Sequence, residues 1–166
     1  VILADKAGIL PEIPPASDES YLIRKPSREE YLACCNEFWW TLPYVGKALC
    51  RNEILYAMEL MQDVVRPELL RMAEWLAGTR TGFSVSAGKG RKYLFRYLTE
   101  QEQEMILETY SLPKADEIWD AAEVMSSLFM SMADTVGCTL GYQRNQKETE
   151  GSLEYLGRLR SGEFEK

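Results

Sequence analysis

Pro26-Ser27-Arg28-Glu29-Glu30-Tyr31-Leu32-Ala33-Cys34-Cys35-Asn36-Glu37-Phe38-Trp39-Trp40-Thr41-Leu42-Pro43-Tyr44-Val45-Gly46-Lys47-Ala48-Leu49-Cys50-Arg51 contains both a helix start and a long apolar stripe. Ser27 followed three residues later by Glu30 makes a capping box. In it, each side chain satisfies a backbone N–H that the first turn of a helix would otherwise leave orphaned. Tyr31, Cys35, Phe38, Leu42, Val45 and Leu49 then recur at spacings of 4, 3, 4, 3 and 4, the pattern a helix needs to bury one face. Pro43 removes a backbone donor and crowds the preceding turn, so a kink or a brief break is expected there.

Working outward, Ile54, Met58, Met61, Val65, Leu69, Met72 and Leu76 repeat the helical spacing, with Pro67 as a second kink and Gly78 as the stop. Thr79–Gly90 is rich in Gly, Ser and Thr and reads as a loop, followed by a short basic helix over Lys89–Leu98. Thr99 with Glu102 caps a helix reaching about Tyr110, which Ser111-Leu112-Pro113 breaks. Ile118, Ala121, Met125, Leu128, Met132 and Val136 mark another core helix, ended by Gly137–Gly141, and Gln146–Arg160 reads as a last, more polar helix. Met58, Met61, Met72, Met125 and Met132 are core filling, and Glu102, Glu104 and Glu108 read as a solvated face. Upstream, Val1–Ser20, with Gly8, Pro11, Pro14 and Pro15, reads as an extended lead-in or interdomain linker. The expected architecture is all-α: an antiparallel bundle of five or six helices over residues 21–166, preceded by a linker over residues 1–20.

Composition narrows the function. A chain of 166 residues, 46% apolar, supports one core. The opening at Val1 lacks both Met and the basic start of a signal peptide, and reads as a cut inside a longer protein with no membrane span. Cys34, Cys35, Cys50 and Cys138 match neither a disulfide framework nor zinc spacing, which suggests a reducing cytoplasm. The absence of histidine excludes Ser-His-Asp triads and His metal ligation from this chain. A net charge of −7 argues against a nucleic-acid partner and suits both a cationic small molecule and plain solubility. Ser86-Ala87-Gly88-Lys89-Gly90 is not a phosphate loop, because Gly82 and Gly88 enclose five residues and Gly90 stands where Ser or Thr is required. No Asp-x-Asp pair is present to hold the metal ions of nucleotidyl transfer.

One stripe is left over. Trp40, Tyr44, Lys47 and Arg51 follow at spacings of 4, 3 and 4, about 180° from the core face at 100° per residue, flanked by Asn36 and Glu37. Glu37 can attract an ammonium and accept a hydroxyl proton; Trp40 and Tyr44 can stack on a sugar or face a cation; Lys47 can neutralise phosphate oxygens. Cover by another helix or domain explains the same face, and both readings stay open at this point.

Tyr31 to Trp75, with Cys34-Cys35-Asn36-Glu37-Phe38-Trp39, Pro43-Tyr44-Val45, Lys47-x-Leu49-Cys50-Arg51-x-Glu53-Ile54-Leu55 and Glu68-Leu69-Leu70-Arg71-Met72, resembles the streptomycin (aminoglycoside 6-) adenylyltransferases. The resemblance runs through Thr81-Gly82-Phe83-Ser84 and Gly88-Lys89 to about Tyr110. It implies the C-terminal helical, substrate-binding domain of an enzyme that transfers AMP from ATP to a hydroxyl of an aminoglycoside. An N-terminal nucleotidyltransferase domain would hold Mg²⁺, and this chain alone would be inactive and hold no cofactor. By analogy it assigns Glu37 to the drug, as catalytic candidate, and Lys47 to phosphate, while the stripe itself puts Asn36, Trp40 and Tyr44 against the drug and Arg51 with Lys47 on the nucleotide side. Lys89 and Lys92 are second-rank nucleotide candidates. The rival reading is a non-enzymatic helical module that docks a partner, or a stand-alone substrate-binding subunit, through the Trp40 face.

Overall fold

A computed structural model describes residues 17–163. The lead-in expected over residues 1–20 lies outside the described residues up to position 16. From there, a short turn at Glu19–Tyr21 leads to an isolated antiparallel bridge between Leu22 and Ser86.

The capping box forms: Ser27 Oγ accepts from Glu30 N–H at 3.1 Å and Glu30 Oε2 accepts from Ser27 N–H at 2.7 Å, starting α1, Arg28–Cys50. Pro43 sits inside α1 without the expected break. A proline leaves the carbonyl four residues back without its donor. That carbonyl belongs to Trp39, and the buried Ser152 hydroxyl donates to it at 2.9 Å. A side chain from a distant helix thus replaces the bond that proline removed.

The second stripe folds as two helices, α2 (Ile54–Leu60) and α3 (Arg66–Thr81), joined by a π turn at Met61–Val65 in which Arg66 N–H reaches Met61 O. The irregularity expected at Pro67 therefore falls one turn earlier, which leaves Pro67 in the first turn of α3 where its missing N–H is harmless. Arg66 is buried there: Nε donates to Gln62 Oε1 at 2.9 Å, one Nη to Thr109 O at 2.7 Å, and the guanidinium lies 3.7 Å from the Tyr110 ring centroid. Gly78 does not end the helix. It is buried inside α3, where a Cβ would stand 2.4 Å from the Phe83 ring; the stop is Gly82, at φ 63°.

The basic helix expected over Lys89–Leu98 is replaced by two short 3₁₀ turns, Lys89–Arg91 and Leu94–Tyr97, because Gly90 and Arg91 adopt φ of 64° and 62°. The second capping box, Thr99 with Glu102, starts α4 (Glu100–Glu108). Glu102 is not simply solvated: Arg80 grips both its oxygens, at 2.7 and 2.6 Å, whereas Glu104 and Glu108 are exposed. α5 spans Ala115–Leu140 and stops at Gly141, with Gly137 buried inside it against the Tyr31 hydroxyl. α6 spans Gln146–Arg160, as the sequence suggested.

The fold is an all-α bundle, with no strand among the described residues. The α1 stripe is 0 to 6% exposed. Phe38 stacks on Phe129 at 3.8 Å, with Trp39 edge-on to both rings. Tyr31 donates to Ala133 O near the end of α5, while the start of α5 meets the far half of α1 through Trp119 and Gly46, so α1 and α5 are antiparallel. The pairs Arg160–Asp120 and Arg144–Asp134 show that α5 and α6 are antiparallel too. Two helices antiparallel to the same third must run parallel to each other, and this relation of α1 to α6 builds the site.

Candidate functional site

Parallel alignment sets α1 and α6 in matching register. Asn36 Nδ2 donates to Glu148 Oε1, Ser152 Oγ to Trp39 O, and Cys50 Sγ to Leu159 O at 3.5 Å. A cleft of about 380 Å³ opens between the helices, lined mainly by Trp40, Pro43, Tyr44, Lys47, Glu148 and Tyr155. Trp40 is 62% exposed and Tyr44 38%, their ring centroids 6.2 Å apart. The Lys47 ammonium stands 4.7 Å from the Tyr44 ring and 5.3 Å from the Tyr155 ring. Trp39 also lines the cleft, and its indole Nε1–H has no acceptor among the described residues.

Trp40, Tyr44 and Lys47 are therefore brought together. Arg51 caps α1 just beyond them, lining an adjoining groove with Lys47 and Tyr155 and facing Glu53 Oε2 at 3.8 Å. Asn36 is engaged with Glu148, and Glu37 is exposed, its Oε1 3.5 Å from Thr41 Oγ1, without lining the cleft. Lys89 and Lys92 are exposed elsewhere, in the segment whose neighbours Gly88, Gly90 and Arg91 line a larger cleft of about 730 Å³. Arg24, Arg71, Glu74 and Trp75 also line it, and Arg91 Nε pairs with Glu74 Oε1 at 3.1 Å. Burial pushes the Glu74 carboxyl up, and Arg91 and Arg71 pull the other way. The α1 residues at that cleft are Glu30 and Ala33, and Ala33 precedes Lys47 by about 21 Å along the helix axis at 1.5 Å per residue.

Sequence reasoning missed the α6 wall. Glu148, Ser152 and Tyr155 follow at spacings of 4 and 3, the same as Trp40, Tyr44 and Lys47. That echo was legible, but nothing in a single sequence says that α6 runs parallel to α1. No group of three or more Cys, Asp or Glu among the described residues is arranged to hold a metal ion.

The sequence model of the streptomycin adenylyltransferase family matches residues 1–159. The chain belongs to that family. It is similar to the aminoglycoside 6-adenylyltransferase of Campylobacter jejuni, 40% identical over 142 residues that cover 86% of this chain and 49% of the relative. The corresponding protein of Bacillus subtilis is 37% identical over 142 residues, 86% of this chain and 50% of its own. The crystal structure of an aminoglycoside 6-adenyltransferase from Bacillus subtilis matches the fold with a TM-score of 0.77 at 35% identity, over 94% of this chain and 58% of that one. The chain thus spans about half the length of the curated relatives it matches. No described helix of this family member is long and apolar enough to cross a membrane.

Proposed function

We propose that residues 21–166 form the helical, substrate-binding part of an aminoglycoside adenylyltransferase that moves AMP from ATP to a drug hydroxyl, with residues 1–20 linking it to a nucleotidyltransferase domain. The observation that carries this reading is the α1–α6 cleft, where a largely exposed Trp40 stands beside Tyr44 and Lys47 in a chain of streptomycin adenylyltransferase family. A bundle helix has no need of an indole on its solvent side, whereas a polyhydroxylated cation is recognised by aromatic faces and carboxylates.

In this reading Trp40 carries the drug's sugar rings, with Tyr44 and Asn36 contacting the drug on either side of it. Glu37 attracts the drug's ammonium groups and takes the proton from the attacking hydroxyl, whose oxygen bonds to the α-phosphorus as the bond to the β-phosphate breaks and pyrophosphate leaves. Lys47 and Arg51 offset phosphate charge as it builds up, acting from fixed positions on α1. The partners are the drug and the nucleotidyltransferase domain, with no nucleic acid, in the cytoplasm.

The larger cleft favours a second placement of the nucleotide. Arg24, Arg71 and Arg91 line it, next to the Lys89 and Lys92 segment that carries part of the family resemblance. Steady-state adenylylation of streptomycin by an enzyme carrying both halves tests the assignment. Glu37→Gln is expected to cut turnover severely, and Lys47→Ala to raise the KM for ATP. Unchanged turnover in Glu37→Gln contradicts the proton-acceptor role, and an ATP effect seen only in Lys89→Ala moves the nucleotide to the second cleft.

A further inference from the structure

We propose that α6 supplies the carboxylate that binds the ligand's guanidinium or ammonium group, Glu148 held in place by Asn36, and that Lys47 fixes the ligand's direction by filling the aromatic faces at the opposite end of the cleft. The inference rests on reading the α1–α6 cleft as the drug site.

Two observations lead to it. Glu148 lines the cleft with Oε1 taken by the Asn36 amide, which leaves its second oxygen for a ligand donor. A helix start explains a carboxylate in the first turn of α6, but it does not explain a hydrogen bond reaching across to α1.

The second observation concerns the aromatic faces. Tyr44 and Tyr155 already receive the Lys47 ammonium, so a ligand cation is not only denied those faces but repelled from them. The positive group of the ligand is thereby driven to the Glu148 end, about 16 Å away along α1 at 1.5 Å per residue from Asn36 to Lys47. Such a span matches a multi-ring amino sugar, with the anionic co-substrate at the lysine end.

The ligand class is therefore a cation rather than a hydrophobic group. Asn36 acts here as a positioning residue for Glu148.

Isothermal titration of the chain with streptomycin at two salt concentrations tests this, using the wild type, Trp40→Ala, Glu148→Gln, Glu148→Asp and Asn36→Ala, each checked by thermal melting. Glu148→Gln is expected to weaken binding about tenfold or more and to flatten its salt dependence, since it removes a charge-assisted pair. Glu148→Asp restores part of the affinity, and Asn36→Ala gives a smaller loss with the salt dependence kept. If Trp40→Ala abolishes binding while Glu148→Gln binds like wild type, the Glu148 assignment is overturned and the cleft stands. If Trp40→Ala binds like wild type, or the wild type does not bind, the cleft reading falls and this inference with it.

Discussion

Phe38 and Trp40 stand two residues apart on α1, yet Phe38 is 0% exposed against Phe129 whereas Trp40 is 62% exposed beside Tyr44. Burying an aromatic side chain is worth roughly 1.5–3 kcal/mol, and the inward face collects that gain in full. The outward face forgoes much of it, although α6 runs close enough to hydrogen-bond with the α1 backbone at Trp39. Aromatic residues that the fold leaves partly unpaired beside a helix it packs tightly are what the proposed ligand site accounts for and the core does not.

The sharpest way to break the contrast is to truncate each member. Phe38→Ala is expected to destabilise the chain by about 3–5 kcal/mol in denaturant unfolding, the cost of an emptied aromatic site. Trp40→Ala should cost no more than about 0.5 kcal/mol and act on streptomycin binding instead. Equal losses of stability would erase the distinction between the faces. Next in size, Ser152→Ala strands the Trp39 carbonyl that Pro43 left without a donor and is expected to cost about 1–3 kcal/mol. A Pro43→Ala, Ser152→Ala double variant should recover much of that loss, because the alanine N–H returns to the carbonyl.

A smaller effect comes from Glu102. Burial pushes its carboxyl up, but the Arg80 hydrogen bonds and the Thr99 cap outweigh burial and hold it below its ordinary 4.5. A depressed folded value means that stability is present above 4.5 and is lost as pH falls through the folded value. The pair is partly exposed, so thermal melts of the wild type and Glu102→Gln should differ by under about 1 kcal/mol near neutrality and converge in acid. Smallest is a labelling pattern with no change in stability. Burial pushes the Cys35 thiol up to about 12 and Cys34 higher; Cys50 and Cys138 are exposed, although partial burial also pushes the Cys50 thiol up. A thiol reagent should label Cys138 first, Cys50, whose Sγ donates to Leu159 O, more slowly, and Cys34 and Cys35 only on unfolding.

How much was legible follows the same division. The two capping boxes, the α1 stripe and the limits of α6 were readable because each rests on contacts within one helix. The π turn ahead of Pro67, the stop at Gly82 and the broken Lys89–Leu98 segment were not. The last two depend on Phe83 packing against Gly78 and on left-handed backbone at Gly90 and Arg91, neither of which periodicity reports. At the candidate site, Trp40, Tyr44 and Lys47 were found from spacing alone, whereas Glu148 and Tyr155 needed the parallel packing of α6 on α1. Pro43 shows why tertiary context decides: the residue expected to kink or briefly break α1 leaves the helix continuous, its orphaned carbonyl met by a serine 109 positions later.

Backbone hydrogen exchange of the chain with and without streptomycin tests the central claim most directly. Slowed exchange in residues 36–51 and 146–160, with residues 83–98 unchanged, is the predicted result. Protection confined to residues 83–98, with α1 and α6 unaffected, would contradict it.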